Sequence, residues 1–305
     1  MDQALLTAIR TGKISQVRQQ IKNGAAMDEL NEDGYAALHE AVLEGQTEIL
    51  ASLIQLGAAP SLLDAFGNTP LHLACICGEM EMVQSLVKAG AHIDQTSSMK
   101  TWTPLMVALN HRRSSIAYWL LEEGADMNFI ESAEGWTPLL VSCEQNLTGL
   151  SITLIRRGAD VHHRLTGGDS LGKSALELIS YYGNVEVAKC LIEHGIDLNL
   201  SPKGLSAVHW AVYNVHEDLL YCLVEHGADI NVRAPGIYLN RTPLHYAVAF
   251  NQPDLTRFLL SRGADPSIPD DDGRSPMQLA VEGYLRSGNR EASGQVVNLL
   301  RNFGR

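Results

Sequence analysis

Short apolar segments recur along the chain at the spacing of an amphipathic helix. In one of them Met82, Val83 and Leu86 lie on one face of a predicted helix, which closes on Lys88-Ala89-Gly90. Glycine suits such a stop because it readily adopts the left-handed conformation that caps a helix. Equivalent glycines recur every 32 to 37 residues, at Gly24, Gly57, Gly90, Gly124, Gly158, Gly195, Gly227 and Gly263. This spacing indicates a chain built from one repeated unit.

A second marker runs in phase with these glycines and predicts a shorter helix earlier in each unit. It is a variant of Thr-Pro-Leu-His, in which Thr or Ser is a good N-cap and Pro is tolerated in the first turn. The copies are AALHEA from Ala36, TPLHLA from Thr69, TPLMVA from Thr103, TPLLVS from Thr137, SALELI from Ser174, SAVHWA from Ser206, TPLHYA from Thr242 and SPMQLA from Ser275. Residues 4–11 (ALLTAIRT) are a degenerate first copy. Neither short helix can bury its apolar face alone, so the nine units are expected to stack.

The combined pattern DxxGxTPLHxAxxxGxxxxxxxLLxxGADxN, nearly intact in the third and eighth units, resembles the ankyrin repeat over essentially all 305 residues. The resemblance implies an all-α solenoid of helix-turn-helix units, with β-hairpin fingers and a concave binding face. It implies one repeat domain over residues 1–305, with units at about 1–30, 31–63, 64–96, 97–131, 132–165, 166–200, 201–233, 234–269 and 270–305. The sequence departs from the pattern at Thr101, which stands where the finger glycine belongs, and in the longer fingers of the sixth and eighth units. The ninth unit carries an insertion, GYLRSGNREASG, between its helices.

Residues 167–174 (GGDSLGKS) match the G-x-x-x-x-G-K-[ST] phosphate-binding loop letter for letter. That loop needs a buried strand before it and a long helix after it, and here one finger arm precedes it and a two-turn helix follows. In the repeat register Gly172 is the finger glycine and Ser174 the helix N-cap, so the repeat explains the match. A nucleotide-binding enzyme using Lys173 and Ser174 is the least favoured reading.

Other residue types that could bind metals or catalyse reactions also have structural explanations. Adjacent units pack about 8–10 Å apart, too far for histidines of neighbouring units to share a zinc ion at about 2.1 Å. These histidines are His39, His72, His209 and His245. The ankyrin resemblance implies that they form hydrogen bonds between repeats. Cys75 is expected in the packed face and Cys77 on the concave surface, since residues two apart on a helix do not face each other. We predict no catalytic residue, no cofactor and no metal site.

The bulk composition narrows the function classes. The formal net charge is −12, which argues against a general nucleic-acid binder. Residues 1–152 carry 8 basic against 18 acidic residues, and residues 153–305 carry 15 against 17. No apolar run is long enough to insert into a membrane, and an odd number of cysteines without framework spacing favours a reducing compartment. We expect a monomer in the cytoplasm, with the nucleus as the alternative compartment.

Exposed aromatic and cationic side chains are the candidates for partner binding. In an ankyrin array the residue after the finger glycine and the last residues of the first helix point away from the core; Leu205 belongs to the first of these sets. Tyr, Trp and Arg dominate interface hot spots. The candidates are Trp102, His111, Trp136, Lys173, Tyr181, Tyr182, Tyr213, Arg241, Phe250 and Arg274.

The favoured function is therefore a non-enzymatic adaptor that grips another protein, through a segment of that partner with apolar and acidic residues. The alternative is the substrate-recognition array of a ubiquitin-ligase assembly. No LPLP-like docking box follows Phe303 in this sequence, which weakens that alternative.

Three fingers also match the pattern favoured by the asparaginyl hydroxylase that acts on ankyrin repeats, with Leu eight residues and an acid two residues before the asparagine. The candidate residues are Asn128, Asn199 and Asn231. The competing explanation is that Asp and Asn at these positions simply stabilise the turn.

Overall fold

The computed structural model describes residues 1–98, 101–200, 204–286 and 290–303, and over these residues the protein is built from α-helices. They form two compact units, Met1–Leu150 and Ser151–Arg305. The first eight helices are α1 Gln3–Arg10, α2 Ile14–Lys22, α3 Ala37–Leu43, α4 Thr47–Gln55, α5 Pro70–Cys77, α6 Met80–Lys88, α7 Pro104–Asn110 and α8 Ser114–Glu122. The remaining ones are α9 Pro138–Glu144, α10 Thr148–Arg156, α11 Ala175–Tyr182, α12 Val185–Glu193, α13 Ala207–Tyr213, α14 Glu217–Glu225, α15 Pro243–Ala249, α16 Pro253–Ser261, α17 Pro276–Arg286 and α18 Arg290–Asn302.

The helix starts follow the predicted capping chemistry. Thr69, Thr103 and Thr137 are N-caps, and each side chain accepts a hydrogen bond from the backbone N–H three residues further on, at 3.3, 3.4 and 3.3 Å respectively. A proline follows each of them at the first helical position, where its missing N–H costs nothing. The Thr-Pro pairs of the sequence therefore fix where these first helices begin.

Each unit has an inner layer made of the odd-numbered helices and an outer layer made of the even-numbered ones. In the first unit α1, α3, α5, α7 and α9 contact one another in succession, and so do α2, α4, α6 and α8. In the second unit α11, α13, α15 and α17 form the inner succession. The core between the layers consists of Leu, Val, Ile, Met and Ala side chains, including the fully buried Leu71, Leu86 and Leu105. Stacking of neighbouring repeats thus buries the apolar faces that single helices leave exposed.

The fingers are tight turns rather than the regular β-hairpins expected from the resemblance. Among the described residues only isolated antiparallel bridges occur, between Arg164 and Ser174 and between Ala234 and Arg241, in the two long fingers. A short finger is closed by one backbone bond, such as the 2.8 Å bond from Asp64 N–H to the Asn68 carbonyl. The Asp64 carboxylate also accepts the amides of Phe66 and Asn68. Because this side chain takes the amides that a ladder would use, no second pair of bridge residues forms.

The finger glycines are required by the neighbouring finger as well as by the turn. Gly67 has φ +78°, and a Cβ atom there would lie 2.3 Å from the Cβ of Ser98 in the next finger. Residues with side chains rarely adopt this φ, and the close approach leaves no room for one. The glycine therefore sets both the turn and the finger-to-finger packing.

In four of the repeats a buried histidine joins the repeat to the next finger. The ring Nδ1 of His72 accepts from the Thr69 amide at 3.2 Å, so the proton is on Nε2, which donates to the Trp102 carbonyl at 3.0 Å. The same bond runs from His39 to Asn68, from His209 to Arg241 and from His245 to Arg274, at 3.2, 2.9 and 3.1 Å. The expected hydrogen bonds between repeats are thus present.

Burial keeps these histidines neutral. Desolvation lowers the pKa of His39, His72 and His245, and it lowers the pKa of His209 from 6.5 to about 4. An unfolded chain binds the proton near pH 6.5, whereas the folded one does not until about pH 4. The contribution to stability is therefore present above pH 6.5 and is lost as the pH falls toward 4.

We predict that His209→Gln reduces the pH dependence of stability. Between pH 7 and pH 4.5 the loss in free energy of unfolding should be smaller than in the unaltered protein by about 2 kcal/mol, the linkage value of the shifted pKa. Urea titrations at the two pH values measure this difference. His92→Gln, at an exposed histidine, is the control, and equal pH dependence in both variants would contradict the prediction.

Candidate functional site

Six aromatic side chains on the inner helices of the second unit form one connected surface, here called the aromatic band. Its members are Tyr181, Tyr182, Trp210, Tyr213, Tyr246 and Phe250. They belong to three successive inner helices: Tyr181 and Tyr182 end α11, Trp210 and Tyr213 lie three residues apart on α13, and Tyr246 of α15 lies four residues before Phe250, which caps that helix. Residues at that spacing share one helix face, so each repeat adds its aromatics to the same surface.

The rings of the band pack edge to face. Tyr181 lies 5.5 Å from Trp210, and Tyr213 lies 5.0 Å from Phe250, measured between ring centroids. Such T-shaped contacts are favourable because the positive edge of one ring meets the negative face of the next. Tyr181, Tyr213 and Phe250 nevertheless keep 52, 45 and 44% of their surface exposed. The band is therefore a preformed surface whose aromatic rings remain accessible.

Polar contacts hold the exposed end of the band in place. The turn after α13 supplies Asn214 Nδ2 and His216 Nε2, each 3.0 Å from the Tyr181 carbonyl. The His216 ring also lies so close to Gly183 that a Cβ at this position would come within 2.5 Å of it. These contacts fix the end of α11 against the next repeat and thus orient Tyr181 and Tyr182.

The long finger of the sixth repeat adds a positive charge to the band. Lys173 Nζ lies 5.9 Å from the centroid of the Trp210 ring, within the range of a cation–π contact. The same ammonium group lies 3.3 Å from Ser170 Oγ. A cation therefore borders the aromatic surface at the position where the sequence predicted a binding residue.

The structure gives Arg241 and Arg274 a role inside the protein. Both guanidinium groups contact the carboxylate of Asp270, at 3.2 and 3.4 Å, and Arg274 also pairs with Asp272. Burial opposes the charge on Asp270, but the Arg274 amide and the Arg241 guanidinium outweigh it, so the pKa of Asp270 lies below its ordinary value. These arginines connect the eighth and ninth fingers and keep only part of their surface for a partner.

The other sequence candidates, Trp102, His111 and Trp136, lie in the first unit. Trp102 and Trp136 are half-buried, and Trp136 Nε1 donates to Glu134 at 2.9 Å. His111 is exposed at the end of α7. The second unit thus brings together Lys173, Tyr181, Tyr182, Tyr213 and Phe250, which sequence reasoning selected one by one.

Sequence reasoning missed Trp210 and Tyr246 and misplaced Leu205. Trp210 and Tyr246 directly follow the histidines of their TPLH-type segments and were not among the candidates, although both rings contact that of Tyr213. Tyr246 itself is buried and supports the exposed rings from below the surface. The available signal was their spacing from Tyr213 and Phe250, which puts them on the same helix face. Leu205 was expected to point outward, but only 6% of its surface is exposed, because a leucine at a finger position gains more by packing inward than by facing water. Cys75 is buried as expected, and Cys77 is half-buried.

Residues 167–174 form a finger and a helix cap. Ser174 is the buried N-cap of α11 and bonds to Glu177, and Gly172 has a positive φ of 82°. Helix α11 has eight residues, and before the finger there is a single bridge residue, Arg164. The surroundings of Lys173 are therefore those of a repeat, without the strand and long helix that a phosphate-binding loop requires.

The side chains of Asn199 and Asn231 connect consecutive turns. Asn199 Oδ1 accepts from the Asp229 amide at 2.7 Å, and Asn231 Oδ1 accepts from the Asp265 amide at 2.8 Å. Asn128 is exposed, and its own amide donates to Asp126 at 2.9 Å. The turn-stabilising role considered for these residues is thus present at Asn199 and Asn231.

Comparison with known proteins identifies the repeat. A family model described as ankyrin repeats in three copies matches residues 5–97 and 150–234. A second ankyrin model matches residues 217–280, and a single-repeat model matches residues 101–131. Among solved structures, the human ASB11 ankyrin repeat domain is similar in fold, with a TM-score of 0.59 at 22% identity over 75% of this chain and 99% of that one.

The curated relatives share only segments with this chain. The E3 ubiquitin-protein ligase hecd-1 of Caenorhabditis elegans is 31% identical over 43% of this chain and 3% of its own length. The human palmitoyltransferase ZDHHC13 is 38% identical over 32% of this chain and 16% of its length. The human NF-kappa-B inhibitor alpha is 48% identical over 14% of each chain. The matched regions thus span a small part of each relative.

Within the described residues, no helix combines the length and the apolar character needed to cross a membrane.

We predict that Asp270→Asn destabilises the second unit. The buried carboxylate accepts the amides of Asp272 and Arg274 as well as two guanidinium groups, so its neutralisation should cost about 1–3 kcal/mol of unfolding free energy. Hydrogen exchange should show faster exchange at those amides. The control is Asp254→Asn, because Asp254 forms an exposed pair with Arg257 that is worth less than about 1 kcal/mol. Equal effects of both changes would show that Asp270 is not the anchor of these fingers.

Proposed function

We propose that this chain, which belongs to the ankyrin-repeat family, is a non-enzymatic adaptor that binds another protein through the aromatic band. Ankyrin repeats mediate binding to other proteins, and the family is an interaction module rather than a catalytic one. The observation that carries the proposal is the connected set of partly exposed aromatic rings on α11, α13 and α15.

The physical properties of the band suit a binding surface. Tyrosine and tryptophan bury a large area with few rotatable bonds, so little conformational entropy is lost when a partner covers them. The rings already contact one another and the turn at Asn214 is already formed, which lowers the cost of ordering the site. The exposed rings thus supply affinity that the apolar core of the repeats cannot supply.

The partner segment should be apolar with flanking acidic residues. The aromatic rings favour apolar side chains, and Lys173 at the border of the band favours a carboxylate. The first half of the sequence is the more acidic one, with 18 acidic against 8 basic residues in residues 1–152, and it should repel such a segment and so help to orient it. In this proposal Trp102, His111 and Trp136 are partner-binding residues within the first unit, while Arg241 and Arg274 contribute mainly by holding the fingers of the second.

The cysteine content and the net charge support the proposed oligomeric state, compartment and class of partner. The five cysteines are free thiols, which suits a monomer in the reducing cytoplasm or nucleus. The net charge of −12 makes nucleic acid an unsuitable partner.

A second candidate function is substrate recognition for a ubiquitin ligase. The supporting observation is that the repeats resemble segments of two E3 ubiquitin-protein ligases, hecd-1 of Caenorhabditis elegans and Ufd4 of Drosophila melanogaster, at 31 and 29% identity. Affinity purification followed by mass spectrometry separates the two candidates. Recovery of ligase subunits with the protein supports the second candidate, and recovery of a partner without them supports the simple adaptor.

We predict that Tyr182→Ala and Tyr213→Ala each weaken binding to the purified partner by about 2 kcal/mol or more, as expected for central aromatic anchors. Trp136→Ala tests the contribution of the first unit in the same way. Isothermal titration calorimetry measures the affinities. Because Tyr182 and Tyr213 lie at the surface, we expect the fold to be unchanged, which circular dichroism checks.

Tyr221→Ala is the matched control for these variants. Tyr221 is also a partly exposed tyrosine that packs against an aromatic ring, that of Phe258, with 4.3 Å between the ring centroids. However, Tyr221 lies on α14 and Phe258 on α16, which are outer helices. Its removal should leave the affinity within about 0.5 kcal/mol of the original. If the Tyr182 and Tyr213 variants bind as tightly as this control, the band is not the binding site.

We further propose hydroxylation at the finger asparagines Asn128, Asn199 and Asn231, which share the spacing of Leu and acid that the hydroxylase favours. Peptide mass spectrometry of the protein from animal cells should then show the mass of one added oxygen on a peptide that contains one of these asparagines. Replacement of the modified asparagine by Ala is the control variant. Peptides from all three fingers at their unmodified masses would contradict the proposal.

A further inference from the structure

The outer helices α12 and α14 end in the same sequence pattern, Cys-Leu-x-Glu-His-Gly. In α12 the pattern provides Cys190, Glu193 and His194, and in α14 it provides Cys222, Glu225 and His226. Positions i, i+3 and i+4 lie on one face of a helix. Each copy therefore places a thiol, a carboxylate and an imidazole on the same side of one helical turn.

In the first copy these three groups converge. One ligand atom each of Cys190, Glu193 and His194 lies within 4.8 Å of the other two. Over the described part of the chain this is the one such group of three metal-binding side chains. Cys190 is buried at the base of the group, while Glu193 and His194 are exposed at its rim. The group thus has a buried sulfur atom and two donor side chains that are open to solvent.

The imidazole is oriented by a hydrogen bond to the helix. His194 Nδ1 lies 2.8 Å from the Cys190 carbonyl oxygen, so this nitrogen donates and Nε2 is left with its lone pair. Metal-bound histidines commonly donate their other ring N–H to a backbone carbonyl, which fixes the tautomer and the ring orientation. The His194 ring thus already has the hydrogen bond that a metal ligand would need.

The local charges favour a cation. The group stands at the C-terminal end of α12, where the helix dipole is negative, and Glu193 adds a carboxylate. The Arg156 guanidinium of α10, a hydrogen-bond partner of the Cys190 thiol, is the opposing charge. Arg156 is exposed, so it can turn toward solvent when a metal takes its place beside the sulfur.

In the second copy the thiol, carboxylate and imidazole do not converge, and the comparison shows which contacts keep them apart. Glu225 pairs with Arg262 at 3.4 Å, which neutralises its carboxylate and draws it away. Cys222 Sγ and His226 Nδ1 lie 3.9 Å apart, and His226 Nδ1 also bonds to the Cys222 carbonyl at 2.7 Å. Two donors remain there, compared with three in the first copy.

We propose that Cys190, Glu193 and His194 form a three-ligand Zn²⁺ site on the outer face of the second unit, away from the layer that carries the aromatic band. A thiolate, an imidazole and a carboxylate are the donors that zinc prefers, and three protein ligands leave a fourth tetrahedral position open. Zinc–ligand bonds of about 2.0–2.3 Å put neighbouring donor atoms about 3.3–3.8 Å apart. The exposed side chains of Glu193 and His194 therefore need to move inward by only about 1 Å. Binding releases the thiol proton to solvent, and no electron is transferred.

Cobalt titration of the full chain tests the site directly, because Co²⁺ replaces Zn²⁺ and reports sulfur ligation by a charge-transfer band in the near ultraviolet. We expect one equivalent of Co²⁺ to give this band and one equivalent of Zn²⁺ to remove it. Cys190→Ser should abolish the band. His194→Ala and Glu193→Gln should weaken binding by more than about 10-fold, since even residues that only hydrogen-bond to a metal ligand contribute about 10- to 100-fold to metal affinity.

The second copy supplies the matched controls. Cys222→Ser and His226→Ala change the same residue types at the same helix positions. Both should leave the charge-transfer band and the affinity for Co²⁺ unchanged. His194→Ala alters an exposed residue, so its effect can be read even if Cys190→Ser disturbs the core. Absence of the band with one equivalent of Co²⁺, or a band that survives Cys190→Ser and is lost in Cys222→Ser, would overturn the proposal.

Discussion

The hydrogen bond from a buried histidine to the next finger is the interaction on which the repeat architecture depends. It uses both ring nitrogens, one to cap its own helix and the other to bind a backbone carbonyl about 30 residues away, as at His72 and Trp102. Since the histidine ring is buried, loss of the carbonyl partner would leave an unsatisfied polar group. In the sixth repeat Glu177 takes this position, accepts the Ser174 amide and pairs with Arg164 at 3.6 Å. The link between helix and finger is thus kept with different chemistry.

This rigid frame explains how the protein can keep aromatic rings exposed. Each exposed ring forgoes about 25 cal/mol for every Å² that is not buried, and the apolar core between the helix layers offsets that loss. Because α11, α13 and α15 are fixed by their own packing, the rings of Tyr181, Tyr213 and Phe250 stay aligned without a partner. In the proposed function, stability and binding are therefore carried by different faces of the same helices.

The sequence was sufficient to predict the repeat architecture, but it was not sufficient to predict the positions and contacts of several side chains. Thr69 and Pro70 favour a helix start through local capping chemistry. Such local signals allowed the repeat length and the helix starts to be predicted. The pairing of Arg241 with Asp270 depends on the approach of two fingers 29 residues apart, which no local pattern encodes. The inward position of Leu205 likewise depends on space left by its neighbours. The aromatic band was predicted in part, because Tyr213 stands at a position that the repeat exposes, whereas Trp210 required knowledge of which helix face remains uncovered.

The central claim is that the aromatic band is the surface that a partner protein covers. Site-specific photo-cross-linking in cells tests it most directly, with p-benzoylphenylalanine introduced at Tyr213 in one variant and at Tyr221 of the outer layer in another. The account predicts a discrete cross-linked partner from position 213 and none from position 221. Cross-linking of the same partner from position 221, with no product from position 213, would contradict it.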